Sequence, residues 1–585
     1  MRRSPVFISL LFLSLTFTMA CRADAPASSI PVAADTVHVP VDGHRGMVVA
    51  GQEDAARIGL EVLMEGGNAV DAAVAVGFAL AVTLPNAGNV GGGGFMLIRF
   101  ADGSTTSLDF RERAPAAATQ TMYVDALTDQ VRPNLSTRGH LAVGVPGTVA
   151  GLLQAHEQHG SLPLAQLIEP AIELAADGFF LSGRQARLFN RYQPEFSDYE
   201  STMRYFSKPN GASFVGGERF VQPDLANVLR RVRDQGFDGF YHGRTADLII
   251  AEMERGGGLI TREDLAAYEP VEREPVFGSY HDHRVISMAP PSSGGVSLIQ
   301  MLQSVEPYPL RTMGWHSAES MHLMGEVMRR TYADRSHWMG DPAYADVPAE
   351  ALMDSDYVTS RMATFNSERA SISEDVGHGT PPDLPHESSE TTHYSIVDEA
   401  GNAVGVTYTI NDLFGSKLVV DGAGFFLNDE MDDFTSAPGE PNLWGLVQGE
   451  RNAVRPGARP VSSMTPTILE DPEGRLYMIV GSPGGGRIIT TVFQVITNVI
   501  DYGMNIQESV AARRFHHQWL PDDLQIESGF PEAQLGLLNG MGWRTRVIST
   551  FGAADAIVVE YDEDGNRTLY GGADPRRETD TAVGY

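Results

Sequence analysis

Cysteine is almost absent from this sequence, because Cys21 is the single one among 585 residues. One thiol cannot close an intrachain disulfide, and the chain beyond Cys21 offers no thiol nucleophile and no cysteine ligand for a metal. The 16 histidines show neither an HExxH pattern nor a comparable metal spacing, so the pair in "FHHQW" (515–519) is interpreted as structural. We therefore predict a protein without a metal ion or another cofactor.

Positive charge is also scarce, since 43 lysines and arginines face 75 acidic residues and leave a net charge of −32. A chain with this charge repels polyanions, which argues against a nucleic-acid partner. With 42% hydrophobic and 20% charged residues, the composition is that of a globular protein. The α/β pattern runs almost unbroken along the chain, so we favour one large composite domain over several separate ones.

Long apolar runs are missing beyond the N-terminus, where a membrane-spanning helix would need about 18 such residues. The first residues combine two arginines with an apolar run at 6–19, which is typical of a secretory signal peptide. Cleavage after Ala25 would remove a signal peptide of residues 1–25, whereas cleavage before Cys21 would leave a lipid-anchored protein. Because "TMAC" is a poor lipobox, we expect an exported, periplasmic protein without a transmembrane segment and keep lipid anchoring as the alternative.

Hydrophobic periodicity predicts most of the regular elements. Residues 57–85 are expected to form two helices separated by Gly66 and Gly67, the second apolar on nearly every side and therefore buried. Residues 95–110 predict a β-hairpin with Asp102 in its turn. Further helices are predicted at 162–177, 223–235, 244–256 and 316–333, and strands near 276–288 and 465–469.

The junction between a polar stretch and a strand is the most informative place in the sequence. Residues 367–390 are rich in Ser, Pro, Gly and acidic residues and predict a flexible linker, and residues 391–411 predict two strands of which the first opens with Thr391. A hydroxyl becomes nucleophilic when a base takes its proton, and a chain-terminal amine with a pKa of about 8 can be that base. Cleavage before Thr391 would create such an amine.

A second informative stretch is "LYMIVGSPGGGRIITT" (476–491), which predicts an apolar strand, a glycine-rich turn and a helix. The first N–H groups of a helix have no partner within it, and glycines let a reacting group come close to them. The stretch therefore predicts a turn that stabilises an anion.

Other catalytic patterns are incomplete. Ser292 and Ser293 in "PPSSGG" lack the GxSxG nucleophile elbow, and the four glycines at 91–94 lack the lysine of a P-loop. A non-catalytic periplasmic binding protein would explain export and the α/β pattern, but not a threonine-headed strand behind a linker. The residues by themselves leave open whether Thr391 is a nucleophile or only a strand former.

Eight motifs, in their order along the chain, resemble those of the bacterial γ-glutamyltransferases, which are N-terminal-nucleophile hydrolases. The similarity extends over residues 40–585. The motifs are "GGNAVDAAVA" (66–75), "GGGGFML" (91–97), "DFRERAP" (109–115), "GVPGTVAG" (144–151), "PPSSGG" (290–295), "TTHYS" (391–395), "MDDF" (431–434) and "GSPGGGR" (481–487).

The resemblance implies an α/β fold, the four-layer αββα sandwich, and a precursor that cuts itself. The Thr391 hydroxyl would attack the carbonyl of Glu390, and water would hydrolyse the resulting ester. The products would be a large subunit, 26–390, and a small subunit, 391–585, which stay together as a heterodimer in one composite domain. The freed Thr391 would take the γ-glutamyl group of glutathione or a related compound as an acyl-enzyme and pass it to water or to an amino acid or peptide acceptor.

The resemblance also implies roles for individual residues. A guanidinium suits a carboxylate and an acidic group suits an ammonium, so both ends of an α-amino acid can be recognised. The residues implied to bind the substrate α-carboxylate are Arg111, Ser462 and Ser463, and those implied to hold its α-ammonium are Asn411, Glu430 and Asp433. The residues implied to assist Thr391 are Thr409, through a hydrogen bond, and Gly484 and Gly485, whose N–H groups would form the oxyanion hole.

Without the resemblance, these residues have simpler interpretations. Arg111 would be a surface arginine in "RER", and "NDEMDD" (428–433) would be an exposed acidic turn. Thr409 would be a strand residue that faces its neighbour. The resemblance favours the functional interpretation of all three.

Two positions depart from the best-known pattern of the family. Glu390 replaces a glutamine before the cut, which should not prevent attack on a backbone carbonyl. Trp444 stands in the loop 435–458, where a lid over the bound substrate often carries a tyrosine, so the acceptor preference is open. The strongest alternative of the same fold is a cephalosporin or glutaryl acylase, against which Asp433 argues because a glutaryl group has no ammonium.

Overall fold

The computed structural model of this chain describes residues 38–379, 392–437, 441–443, 445–446 and 449–585. Five of the residues or segments singled out above lie outside these ranges. They are the signal peptide 1–25 with Cys21, the scissile pair Glu390 and Thr391, and Trp444.

Helices make up much of the described chain. In chain order the α-helices α1 to α19 are Glu53–Met64, Ala69–Thr83, Thr148–His159, Leu164–Asp177, Gly183–Arg191, Gln193–Phe196, Glu200–Phe206, Pro223–Gln235, Asp238–Tyr241, Gly243–Gly256, Arg262–Ala266, Gly294–Val305, Leu310–Met313, Ala318–Trp338, Ala349–Leu352, Ser355–Met362, Arg487–Ile500, Ile506–Ala511 and Glu532–Gly540. Three short 3₁₀ helices are His140–Ala142, Glu430–Asp433 and Glu450–Asn452.

Strands occur in both halves of the sequence. In chain order β1 to β19 are Val41–Gly43, Met47–Ala50, Gly93–Arg99, Thr105–Asp109, Phe179–Phe180, Arg219–Phe220, Val271–Arg273, Val276–Tyr280, His283–Ser287, Thr392–Val397, Ala403–Thr409, Thr467–Glu470, Leu476–Gly481, Phe515–His516, Leu524–Glu527, Thr545–Ile548, Asp555–Tyr561, Arg567–Gly572 and Thr581–Gly584.

Two seven-stranded antiparallel sheets form the centre of the molecule. Sheet I has the order β19-β2-β10-β11-β3-β4-β7, and sheet II has the order β1-β18-β17-β13-β12-β9-β8. Apolar side chains from both sheets pack face to face, among them Val49 and Leu97 of sheet I with Ile286 and Ile479 of sheet II. Helices from the first half of the chain cover the outer face of sheet I, and α12, α14 and α17 cover that of sheet II. The expected four-layer αββα sandwich is confirmed.

The predicted helices and hairpins are confirmed, with small shifts of their ends. Every residue of α2 is buried, as its uniformly apolar sequence predicted. Asn68 starts this helix with a capping box, because its side chain accepts from the N–H of Asp71 while the Asp71 carboxylate accepts from the N–H of Asn68. The strand expected near 276–288 is a hairpin of β8 and β9.

The strand that follows Thr391 is central in sheet I. β10 lies between β2 and β11, with Thr392 opposite Tyr408. Its side chains alternate, so that Tyr394 reaches α2 and donates to the carbonyl of Ala73, while His393 lies between the sheets. The predicted cut therefore stands at the entrance to a buried strand.

The linker prediction is wrong for the part of 367–390 that the structure describes. Residues 370–379 form hydrogen bonds with α14, with α16 and with Asp522, and Ala370 and Ser373 are buried. Polar composition misled the prediction because the partners of this segment are themselves polar side chains. Among the described residues, no helix is both long and apolar enough to cross a bilayer.

Candidate active site

Arg111 follows the end of β4, and hydrogen bonds hold its backbone at both the N–H and the carbonyl. Its N–H donates to Asp109 Oδ1 at 2.9 Å, and its carbonyl accepts from the Tyr268 hydroxyl at 2.8 Å. Asp109 in turn forms an ion pair with Arg273 at 2.7 Å. The contacts of Asp109 and Tyr268 with this backbone thus determine where the guanidinium points.

The Arg111 guanidinium is completely buried and lies between two acidic side chains. It donates to Glu430 Oε1 through Nη1 and to Asp433 Oδ2 through Nη2. It also donates to the carbonyls of Pro460 (3.2 Å) and Val461 (3.0 Å). The interpretation of Arg111 as a surface arginine is therefore wrong. The interpretation of 428–433 as an exposed acidic turn is also wrong, because Glu430 and Asp433 have 0% exposure.

A third carboxylate, that of Glu112, lies 3.8 Å from Arg111 Nη1 and is also buried. Burial raises the pKa of Glu112 to about 8 against the opposing charge of Arg111, and burial likewise raises the pKa of Glu430 well above its usual range. Burial alone would lower the pKa of Arg111, but the surrounding carboxylates outweigh it and raise this pKa. The site is thus one permanent cation among several carboxyl groups that share its charge.

The glycine run at 91–94 makes room for this arrangement. A Cβ on Gly93 would lie 2.5 Å from Glu112 Oε2, and a Cβ on Gly92 would lie 1.7 Å from the carbonyl oxygen of Thr409. Side chains here would push the carboxyl group and β11 away from β3. The run therefore serves close packing at the site.

Thr409 and Asn411 close the end of β11. The Thr409 hydroxyl oxygen accepts from the N–H of Asn411 at 2.8 Å, and Asn411 Nδ2 donates to the carbonyl of Asp429 at 3.0 Å. Asn411 has a φ of 70°, a left-handed conformation that asparagine tolerates better than most residues. These bonds connect the end of the central hairpin to the helix that carries Glu430 and Asp433.

Ser462 and Ser463 follow directly after the carbonyls that contact Arg111, and both are buried. The Ser463 hydroxyl accepts from Arg335 of α14, and the carbonyl of Ser462 accepts from the N–H of Ser293 at 2.9 Å. Both serines thus follow in the chain two carbonyls that accept from Arg111, and Ser293 of the "PPSSGG" motif contacts Ser462.

The turn between β13 and α17 places two glycines in conformations that other residues rarely adopt. Gly484 has a φ of 142° and Gly485 a φ of 60°. In the ranges that the structure describes, no oxygen accepts a hydrogen bond from the N–H of either glycine. The next residue, Gly486, accepts at its carbonyl from the Tyr332 hydroxyl. Two N–H donors next to a helix start are therefore free to bind an anion.

Sequence reasoning missed several residues of the site. Glu112 stands within the motif "DFRERAP", but no pattern around it marks it as buried beside Arg111. Tyr332 and Arg335 lie one turn apart on α14 and contact Gly486 and Ser463, respectively. No pattern in the sequence marks these two residues, because their role depends only on how α14 packs. The histidines of "FHHQW" are buried, in agreement with a structural role.

Comparison with known proteins places the chain in one family. The profile of a family described as Gamma-glutamyltranspeptidase matches residues 55–584. The glutathione hydrolase proenzyme of Escherichia coli (strain K12) is 45% identical over 583 residues, which are 99% of this chain and 98% of that protein. The match extends over the whole described site.

Solved structures of related proteins show the same fold. The structure of Helicobacter pylori gamma-glutamyltranspeptidase is 43% identical, with a TM-score of 0.56, and covers 60% of this chain and 97% of its own. The structure of a cephalosporin acylase from Bacillus halodurans is 26% identical, with a TM-score of 0.84, and covers 96% of this chain and 99% of its own.

Proposed function

Because the chain belongs to the gamma-glutamyltranspeptidase family, we propose that it is a proenzyme that cuts itself before Thr391 and then cleaves γ-glutamyl bonds. The E. coli relative is called a glutathione hydrolase proenzyme, and we extend that substrate to this chain. Glutathione and related γ-glutamyl compounds are the proposed donors, and water, amino acids or peptides are the proposed acceptors. The proposed reaction uses no cofactor.

The observation that supports this proposal best is the buried arrangement of Arg111 with Glu430 and Asp433. A guanidinium recognises a carboxylate, and paired acidic groups recognise an ammonium. An α-amino acid end carries both charges, and the γ-glutamyl group is an acyl group with such an end. The site therefore fits the glutamyl donor at the end remote from the scissile bond.

The chemistry would begin when the Thr391 hydroxyl attacks the carbonyl of Glu390 and water hydrolyses the ester. In the processed enzyme, the α-amine of Thr391 takes the proton of its hydroxyl, and the oxygen attacks the γ-carbonyl of the substrate. The N–H groups of Gly484 and Gly485 stabilise the negative oxygen that forms. The amine then returns the proton to the leaving amine, and water or an amino group attacks the acyl-enzyme.

Thr409 and Asn411 are placed to support this centre. Thr392 lies opposite Tyr408 in the pair of β10 and β11. Thr409 is the next residue of β11, at the end of the pair where the predicted cut lies. We assign Thr409 to a hydrogen bond with the nucleophile and Asn411 to the ammonium side of the site. Ser462 and Ser463 join Arg111 at the carboxylate side.

We further propose that processing gives a heterodimer of residues 26–390 and 391–585 after removal of residues 1–25 on export to the periplasm. Leu446 of the loop 435–458 lies beside the turn, since a Cβ added to Gly486 would lie 3.3 Å from Leu446 Cδ2. We assign Trp444 of the same loop to the cover over the bound glutamyl group.

The first experiment compares the purified wild type with Thr391→Ala on a denaturing gel beside a γ-glutamyl-p-nitroanilide assay. The wild type is expected as two chains with activity, and the variant as one chain without it. A wild type that remains a single active chain contradicts the proposal.

A second experiment separates this function from that of an acylase of the same fold. The initial rates with γ-glutamyl-p-nitroanilide and glutaryl-p-nitroanilide are compared, since the two differ only in the α-ammonium. We expect faster turnover of the γ-glutamyl compound, because Glu430 and Asp433 would otherwise face no cation of the substrate. Faster turnover of the glutaryl compound would contradict the proposed function and indicate an acylase.

A further inference from the structure

Peptide groups of the turn between β13 and α17 carry the two N–H donors that we assign to the oxyanion hole. The N–H of Gly484 shares its peptide group with the carbonyl of Pro483, and the N–H of Gly485 shares its own with the carbonyl of Gly484. A planar trans peptide group directs its N–H and its C=O oppositely, so a partner at the carbonyl fixes the direction of the N–H. The partners of these two carbonyls therefore aim the donors.

The carbonyl of Pro483 is held by the side chain of the residue before it. Ser482 Oγ donates to this carbonyl at 2.7 Å and accepts from the N–H of Ala553 at 3.1 Å. The Ser482 side chain is completely buried. A hydroxyl has a single proton, and the Ala553 N–H occupies a lone pair, so the proton of Ser482 is directed to the Pro483 carbonyl. A first chain of hydrogen bonds thus ends at the N–H of Gly484.

The carbonyl of Gly484 is connected, through one further peptide group, to a side chain of α14. The N–H of Arg487 donates to this carbonyl at 3.1 Å. That N–H shares its peptide group with the carbonyl of Gly486, which accepts from the Tyr332 hydroxyl. A second chain of hydrogen bonds thus runs from Tyr332 through two peptide groups to the N–H of Gly485.

Tyr332 is a rigid anchor for the second chain. Its side chain is 1% exposed in the apolar core outside sheet II, and its ring meets that of His516 edge to face, with 5.5 Å between the centroids. The glycines at 484–486 have no side chains to hold the turn, and glycine has more backbone freedom than any other residue. The geometry of the turn therefore depends on the hydroxyl groups at its two ends.

Hydrogen bonds in a chain also polarise one another. An N–H becomes a stronger donor when the carbonyl of its peptide group accepts a hydrogen bond, and a buried environment of low dielectric constant strengthens this effect. The gain is largest when the acceptor carries a full negative charge, as the oxygen of a tetrahedral intermediate does. Both chains therefore favour the charged transition state over the neutral substrate.

We propose that Tyr332 and Ser482 are positioning residues of the oxyanion hole. Tyr332 aims and polarises the N–H of Gly485. Ser482 does the same for the N–H of Gly484. This inference rests on the proposed function, because the anion is the tetrahedral intermediate of γ-glutamyl transfer. Both hydroxyls act through peptide groups and keep their protons throughout the reaction.

The first test measures hydrolysis of γ-glutamyl-p-nitroanilide by Tyr332→Phe and by Ser482→Ala, per mole of cut chain. Each variant loses one hydroxyl and keeps the rest of its side chain. Loss of an oxyanion donor lowers kcat by about 10² to 10³; here the donors remain but are less well aimed and polarised, so we expect kcat and kcat/KM to fall about tenfold. Acylation and deacylation pass through the same kind of anion, so KM should change by less than about twofold.

Tyr241→Phe and Ser509→Ala are the matched controls. Tyr241 is buried and donates to the carbonyl of Pro146 at 2.9 Å. Ser509 is buried and donates to the carbonyl of Val495 at 3.0 Å. The controls should lower Tm as much as the test variants do and keep the wild-type kcat and KM. Test variants with the kcat of their controls overturn this inference and leave the proposed function standing.

A second test separates the transition state from the bound substrate. The inhibitor 2-amino-4-boronobutanoic acid has boron at the position of the γ-carbonyl carbon and forms a negatively charged tetrahedral adduct with a hydroxyl nucleophile. Norvaline has a methyl group at that position and keeps the α-amino acid end. In both test variants the inhibition constant of the boronic acid should rise about tenfold, in step with the fall in kcat/KM, whereas that of norvaline should keep its wild-type value.

The two inhibitors distinguish positioning of the oxyanion donors from a general distortion of the site. If the inhibition constant of norvaline rises as much as that of the boronic acid, the two hydroxyls support the whole site and the inference is wrong. A wild type that is cut but does not hydrolyse γ-glutamyl-p-nitroanilide overturns the proposed function, and the role of Tyr332 and Ser482 with it.

Discussion

At the scale of single residues, we expect the charge balance around Arg111 to decide what the proposed site binds. A buried charge is tolerated only with partners, and Arg111 has Glu430, Asp433 and Glu112 around it. A substrate that carries one positive and one negative group can enter without changing the net charge of the cluster. A substrate with the carboxylate alone adds a negative charge to a site that is already acidic.

Asp433→Asn tests this balance. We expect kcat/KM for γ-glutamyl-p-nitroanilide to fall at least tenfold, because loss of a charged partner in a buried pair costs about 2 kcal/mol or more. The rate with glutaryl-p-nitroanilide should fall less or rise. Asp432→Asn is the control, since that carboxylate accepts from Ser136 and the N–H of Leu443 and does not contact Arg111. Equal loss with both substrates would show that Asp433 does not recognise the ammonium.

Glu112→Gln tests the raised pKa of Glu112 through stability. Between its usual value of 4.5 and about 8, the folded protein keeps a proton on Glu112 that the unfolded chain has released. The contribution of this group to stability therefore falls as the pH rises through that window. The groups that face it are Arg111, Glu430 and Asp433.

The expected outcome is a smaller loss of Tm between pH 5.5 and pH 8.5 in Glu112→Gln than in the wild type. Thermal unfolding at the two pH values, followed by circular dichroism, measures it. The exposed Glu61→Gln serves as control and should behave as the wild type. A variant with the wild-type pH difference would mean that Glu112 is ionised throughout this range.

At the scale of elements, the turn between β13 and α17 combines a strand end, two left-handed glycines and a helix start. The helix N-terminus adds a partial positive charge to the N–H groups that precede it. Tyr332 and Arg335, one turn apart on α14, attach this turn and Ser463 to the same helix. One helix thus contacts both the turn that we propose as the oxyanion hole and one of the serines that we propose for the carboxylate.

Gly485→Ala tests the turn. Alanine is strained at a φ of 60°, so the N–H donors should shift, and kcat should fall by about 10² or more, as when an oxyanion-hole donor is lost. Gly474→Ala is the matched control, because Gly474 has a φ of 78° with nothing within 4 Å of its added Cβ. Both variants should lose similar stability in thermal unfolding. Similar kcat values for the two variants would remove the turn from the mechanism.

The elements themselves were largely predictable from the sequence, and the exception has a physical cause. The periodicity of α2, of the β3–β4 hairpin and of β10–β11 is local, so each was recognised from its own residues. The segment 370–379 has no periodicity because it is held by polar side chains from distant elements. Composition cannot distinguish such a segment from a flexible one.

At the scale of the whole molecule, the predicted cut divides both sheets. Sheet I combines β10, β11 and β19 from after the cut with four strands from before it, and sheet II combines β12, β13, β17 and β18 with three. The two pieces therefore share the core between the sheets. Neither piece can bury its own apolar face without the other.

We accordingly expect the cut protein to behave as one particle. Size-exclusion chromatography in native buffer should give a single peak whose denaturing gel shows both chains, and thermal unfolding should give one transition. Residues 26–390 and 391–585 produced separately should yield no folded protein, because each lacks strands of both sheets. Separation of the chains in native buffer would contradict this expectation.

Taken alone, the sequence determined the helices and strands, the threonine-headed strand behind a polar stretch, and the motifs that carry the family resemblance. These are local patterns, because each depends only on residues that are close in the sequence. The tertiary structure alone decided that Arg111 meets Glu430 and Asp433 across more than three hundred residues, that their charges are buried, and that 370–379 is held from both sides of the cut. Burial and long-range pairing depend on how the layers pack, and no short stretch of residues encodes that packing by itself.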